Sequence, residues 1–256
     1  MMTEVTLFLL VMARVSVFVA FFPLFTQRQL PAQVKVGLAA ALSIFWLADA
    51  RSSFTVDQLD SIVSWWFALL LLKEMLIGII LAFVLGLFFY PAKIAGSYVA
   101  QELGLSLAAI SDPGSQDSST LVSRLFEAFA ILLFFALNLH HFVILSLHFS
   151  FEEGMTRLGF TELPTEVIVT SISRVSDYGL LEIAPLLIVL MLVTLVLGFL
   201  NRAAPALNLF SVGMTVRVGL GGFLLFVFSP IIFGAMEIYF YRVQEDIEWI
   251  LRSMTS

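Results

Sequence analysis

The chain has no cysteine, which removes disulfides, thiolate nucleophiles and every cysteine-based metal or iron–sulfur site, and leaves the redox compartment open. Charge is scarce as well. Only 12% of the 256 residues are Asp, Glu, Lys or Arg, and the 13 basic residues are scattered singly among 19 acidic ones, for a formal net charge of −6. Such a chain offers no basic face to nucleic acid. There is no HExxH, no Walker A loop, no GxGxxG after a strand and no GxSxG elbow, so the common hydrolase, nucleotide and dinucleotide signatures are missing. The sequence therefore reads as a non-enzyme without cofactor or metal. His141 and His148 stand two turns apart on one helical face, with His140 beside them. No carboxylate is spaced to join them, so polar contacts near a helix end are a better reading than a metal centre or proton relay.

What the chain has in abundance is apolar surface. It is 60% hydrophobic with 26 Phe and a mean hydropathy of +1.02, more than one soluble core can hide, so it is expected to be an integral membrane protein. Apolar stretches run over about 5–24, 34–48, 62–90, 128–150, 183–200 and 218–241. They are too continuous for the alternation of a barrel strand, and in lipid only helices or closed barrels satisfy their own backbone groups, so the fold class is all-α. The second stretch is short for a span, and Arg14 and Pro23 interrupt the first, so the number of true crossings stays open. Lys and Arg do not alternate across the segments, and neither does the orientation follow. The opening MMTEVTLFLLVMARVSVF lacks a basic n-region and an Ala-x-Ala site, and is expected to be a retained first membrane segment.

Prolines 23, 31, 91, 185, 205 and 230 fall at or inside these stretches, where each removes a backbone donor and bends or ends a helix. Kinked or broken helices are the expectation. Three polar pieces interrupt the pattern: 51–60, 152–178 with an amphipathic helix expected after Pro164, and a Ser-rich run over 111–119. Lys73, Glu74, Arg124, Glu127, Glu182, Arg202 and Arg217 lie in or beside apolar stretches, and each costs about 2.5–3.5 kcal/mol at a bilayer centre. They must face protein, water or one another, along a polar path or at docking surfaces. Arg124 and Glu127 share a face and can pair locally, whereas Lys73 and Glu74 diverge by about 100° and need separate partners. Gly78 and the Val218–Gly222 cluster are expected to let helices approach closely.

Two patterns resemble a known family. Gln101-Glu102-Leu103-Gly104-Leu105-Ser106, then Asp112-Pro113, then Asn138-Leu139-His140-His141, is similar to the middle of the FliR/SctT family of flagellar and type III secretion export-gate proteins. The run from Leu197 to Phe210, with Asn201-Arg202 and Pro205, is similar to the segment before that family's last hairpin. Lys73-Glu74 with Gly78, and Pro23 to Gly37 with Lys35-Val36-Gly37, fit in the same order, so the resemblance covers nearly the whole chain and leans flagellar.

The resemblance implies a non-enzymatic subunit of kinked or broken helical hairpins in a helical export-gate complex. It would sit in the bacterial inner membrane, within the flagellar basal body or secretion apparatus. The implied partners are FliP-like and FliQ-like gate subunits, FlhB-like and FlhA-like export proteins, unfolded secreted substrates and membrane lipid. Residues 1–178 would be FliP-like and 179–256 a FliQ-like hairpin. A plug loop at 104–120 would line the pore, with Gly104, Leu105, Ser106, Ser111, Asp112, Pro113, Gly114 and Ser115 as its site residues. Small side chains let such a loop shift, and Asp112-Pro113-Gly114 suits a turn. Glu74, Gln101, Arg124, Asn201, Arg202, Pro205 and Arg217 are expected to face the pore or neighbouring subunits. The rival reading is a secondary transporter with a mid-membrane polar site, since broken helices and embedded Lys73 and Glu74 would serve one too.

Overall fold

The computed structural model describes residues 2–26, 30–53, 64–105, 120–152, 165–203 and 209–255, and helices account for nearly all of them. They are α1 (Met2–Phe21), α2 (Pro23–Thr26), α3 (Ala32–Ser53), α4 (Ser64–Gly86), α5 (Tyr90–Glu102), α6 (Leu121–Ala136), α7 (Leu139–Glu152), α8 (Thr165–Ala203) and α9 (Leu209–Thr255). Among the described residues there is no strand, so the protein is all-α. Among the described residues four helices contain an apolar stretch long enough to cross a bilayer: Glu4–Phe21, Phe67–Gly86, Ser173–Leu200 and Gly213–Trp249. The apolar part of α3, Ala32–Ala48, falls short, as its sequence indicates.

Prolines punctuate the front of the chain. Pro23 follows the end of α1 and opens α2, Pro31 precedes α3 and accepts from the Val34 and Lys35 amides, and Pro91 sits in the first turn of α5. A first-turn proline removes only a donor that had no intrahelical acceptor. Pro185 and Pro230 instead lie inside α8 and α9 without dividing them.

Three differences from the sequence reading have physical causes. The stretch at 128–150 is two helices, because Asn138 takes a left-handed conformation (φ 58°) between α6 and α7, a conformation Asn tolerates better than most L-residues. The stretch at 62–90 ends as a helix at Gly86, and a turn over 87–89 leads into α5. The helix expected after Pro164 is the start of α8, which runs without a break into the apolar stretch at 183–200. Hydropathy marks where a helix is greasy, and a polar flank can still carry its hydrogen-bond ladder onward. Residues 54–60 and 106–119 of the expected polar connections lie outside the described residues.

The chain forms two compact units. The first comprises 1–87, 138–169 and 244–256. In it α1 packs against α3 and α4, and α3 against α7. Leu7, Leu10, Val11, Val15 and Phe18 recur along α1 at helical spacing and are buried. A Cβ added at Gly78 would stand 2.5 Å from the Arg14 carbonyl oxygen, so α1 and α4 touch nearly backbone to backbone there.

The second unit comprises 88–137 and 170–243. In it α5 packs on α6 through small residues: Ala92, Ala95, Gly96 and Ala100 are buried, and a Cβ on Gly96 would lie 2.6 Å from the Ser123 Cα. The facing stripe of α6 is Val122, Phe126, Ala130 and Phe134, one residue per turn. Phe134 meets Phe88 and Phe89 at ring separations of 5.7 and 5.1 Å, and Phe88 meets Phe240 edge-on at 5.6 Å. Gly179 brings α8 against Pro91 and Ile94, and Gly221 brings α9 against Leu103.

Gly78→Ala is therefore expected to destabilise the protein. Forcing a methyl into that contact costs about 1–3 kcal/mol, against the roughly 1 kcal/mol that Ala gains over Gly in a helix. Thermal unfolding in detergent should show a lower midpoint for Gly78→Ala, whereas Gly234→Ala, where nothing lies within 4 Å, should not fall.

Candidate functional site

A single arginine interrupts the apolar face of α1. Arg14 is fully buried, and its Nε donates to Glu74 Oε2 of α4 at 2.7 Å, with Nη2 2.6 Å from the same oxygen. Nη1 donates to the Ser150 carbonyl and, at 3.1 Å, to Ser150 Oγ on α7. Ser150 lies in the last turn of α7, where carbonyls have no intrahelical donor and the helix dipole favours a cation. The guanidinium also sits 4.5 Å from the Phe151 ring centroid, and Phe151 stacks on Trp46 of α3 at 5.8 Å. One side chain thus ties α1 to α4 and α7, and Phe151 carries the contact on to α3.

Glu74 was expected to face the pore or a neighbouring subunit; the structure turns it inward, onto Arg14. Lys73, one position away, is only half-buried, as the 100° divergence requires. Sequence reasoning treated Arg14 as an interruption of a stretch and missed it as a partner. The available signal was a lone arginine midway along one span-length helix and a lone acid midway along another.

The second feature is the frame of the loop after α5. Leu103 ends the helix, Gly104 takes φ 76°, its amide donates to the Gln101 carbonyl at 3.0 Å, and the Leu105 amide donates to the Ala100 carbonyl at 2.9 Å. This is a Schellman closure, and its left-handed residue suits Gly. On the far side Thr120 caps α6: its Oγ1 accepts from the Ser123 amide at 3.2 Å and lies 2.9 Å from Ser123 Oγ. The chain is thus anchored at Gly104–Leu105 by backbone hydrogen bonds and at Thr120 by a side-chain cap, at the same end of the α5/α6 pair.

Of the expected loop residues, Gly104 and Leu105 belong to this frame, while Ser106, Ser111, Asp112, Pro113, Gly114 and Ser115 lie outside the described residues. Gln101 and Arg124 flank the frame, exposed, on α5 and α6. Arg202 is exposed in the last turn of α8, and Arg217 is half-buried in α9. Pro205 and the side chain of Asn201 are outside the described residues. His140 and His141 place their rings 4.1 Å apart, and no group of three or more His, Asp or Glu suited to a metal occurs among the described residues.

Removing one member of the buried pair leaves the other charge stranded. Arg14→Ala should cost about 3–5 kcal/mol, and Arg14→Met combined with Glu74→Leu should recover much of that loss. Thermal midpoints of the two variants in the same detergent check this, and a double variant no better than Arg14→Ala would contradict it.

Comparison with known proteins places the chain. Residues 5–243 match the bacterial export proteins, family 1. The chain is 29% identical over 250 residues to the flagellar biosynthetic protein FliR of Bacillus subtilis (strain 168), covering 95% of this chain and 94% of that protein. It is 29% identical over 222 residues to FliR of Escherichia coli (strain K12), covering 86% and 82%. With the surface presentation of antigens protein SpaR of Shigella sonnei it shares 28% over 177 residues, covering 68% and 66%. The export-protein resemblance carried by the Gln101–Ser106, Asn138–His141 and Leu197–Phe210 motifs is the one these matches show, and the chain belongs to family 1 of the bacterial export proteins.

Proposed function

We propose that this protein is a structural and gating subunit of the type III flagellar export apparatus in the bacterial inner membrane. The observation that carries the reading is the family match over residues 5–243, together with FliR relatives aligned over most of the chain. In this reading it forms the export pore with FliP-like and FliQ-like subunits, meets FlhB-like and FlhA-like proteins, and passes unfolded substrates. Residues 1–178 take the place of a FliP-like subunit and 179–256 that of a FliQ-like hairpin. The division falls inside α8, so it describes correspondence to partners, not a break in the fold.

Gating is assigned to the segment between Gly104 and Thr120, with Ser111, Asp112, Pro113, Gly114 and Ser115 at its centre. Its support is local. A segment held at both ends by a helix closure and a helix cap can move without unwinding α5 or α6. Gln101 and Arg124 stand at its base, and Arg202 with Asn201 and Pro205 lead into the last hairpin, as positions for contact with neighbouring subunits. The transporter reading loses its main ligand candidate, because Glu74 is already committed to Arg14.

Two measurements test the proposal. Native mass spectrometry of the protein co-expressed with its operon neighbours should give a defined complex containing this chain and several copies of two smaller helical membrane proteins. A monomer or homo-oligomer in the presence of every neighbour would sink the assembly. Deleting Ser111 to Ser119 should then make the closed complex conduct small ions, and unchanged conductance would remove the plug.

A further inference from the structure

Glu182 lies inside the apolar part of α8 and is 1% exposed, with Ile183 and Leu186 close by in the helix fully buried. Among the described residues it is the second buried glutamate, and its setting is the opposite of the first. Glu74 has Arg14 at 2.6 Å. Glu182 Oε2 is buried with no hydrogen-bond partner among the described residues. Helix geometry puts Glu182 on the same face as Tyr178 and Gly179, one turn earlier, and Pro185, one turn later. That face is packed. A Cβ on Gly179 would stand 3.0 Å from the Pro91 carbonyl oxygen of α5 and 3.2 Å from Ile94, and the Tyr178 ring lies 5.0 Å from that of Tyr239 on α9.

The titratable groups on these two elements leave Glu182 alone. Lys93 of α5 and Glu237 and Arg242 of α9 are exposed, and Arg242 Nη1 donates to the Tyr178 hydroxyl at 2.9 Å. Tyr90 of α5 and Tyr239 of α9 make no hydrogen bond to Glu182 Oε2. On α8 itself Arg174 and Asp177 are exposed and more than one turn away. A carboxylate with neither cation nor donor is far more costly to keep from water than a protonated carboxyl group in the same place. We propose that Glu182 is a proton-binding site: the packed form of α8 holds it as the neutral acid, and release of the proton to solvent opens the contact of α8 with α5 at Gly179. Pro185 supplies the place to open. It has no N–H for the Leu181 carbonyl, so the hydrogen-bond ladder is already interrupted beside Glu182, and prolines are where helices bend. The switch lies within this chain and does not depend on the assembly proposed above.

The test follows amide hydrogen exchange of the full chain in detergent over Tyr178 to Leu190 and the first turns of α5, with rates referred to an unstructured chain at each pH. Above about pH 5 exposed glutamates are already ionised. The packed form then binds one proton more than the opened form, so opening becomes easier as pH rises. The expected result is protection that falls by up to about tenfold per pH unit in the wild type and stays level in Glu182→Gln, which keeps the shape and has no such proton to lose. Protection that is level in the wild type, or that falls equally in Glu182→Gln, overturns the proposal. If Glu182→Gln does not fold, Glu182→Leu takes its place, and a level wild-type profile is decisive without either. Infrared spectra give an independent reading. At neutral pH the wild type should show the carbonyl stretch of a protonated carboxyl group that is missing from the variant. A carboxylate band in its place, the mark of a cation meeting Glu182, overturns the site.

Discussion

The first unit depends on one buried cation. An arginine in the middle of an apolar helix has no way to reach water, so the helices around it must arrange themselves to satisfy it. Arg14 obtains a carboxylate from α4, a carbonyl and hydroxyl from α7 and a ring face from Phe151, backed by Trp46 of α3. The geometry requires close backbones. Gly78 lies four residues beyond Glu74, on the same face of α4, and is where α4 meets the Arg14 carbonyl. Glu74 and Gly78 are therefore one device, a charge and the space that lets it reach its partner. The pair is weak evidence for extra stability, since a well-packed apolar substitute can do as well. Its consequence is specificity: sliding α1 or α4 by a turn would strand both charges.

The second unit is organised without a buried ion pair among its described residues. Its register comes from steric fit: small residues on α5, a stripe of every fourth residue on α6, and a cluster of phenylalanine rings. Glu182 of α8 is the exception, a buried carboxyl group within this otherwise apolar packing. The α5/α6 contact at Gly96 and Ser123 and the helix-end anchors at Gly104 and Thr120 lie on the same pair of helices.

The sequence declares the helical class and the apolar stretches because those depend on composition summed over many residues. The shortness of the apolar part of α3 and the role of Gly78 were legible for the same reason: length and the absence of a side chain are properties of the residues themselves. The break at Asn138 was not, because one left-handed residue inside an apolar run leaves hydropathy unchanged. Nor was the pairing of Arg14 with Glu74, since residues 60 apart in sequence meet only through the fold. The cap at Thr120 could have been found from a Thr placed just before an apolar run. The outward-facing residues follow a different logic, because what satisfies them need not lie in this chain.

Burial along the chain bears on that point. Within its apolar window 39% of α1 is buried by the protein itself, against 17% of α8 and 11% of α9. The front helices build their own core; the last two leave most of their surface to something else. Lipid or an apolar helix can cover such a stripe at no polar cost. In the assembly proposed above, apolar helices of other subunits would cover the surface that these two helices leave open.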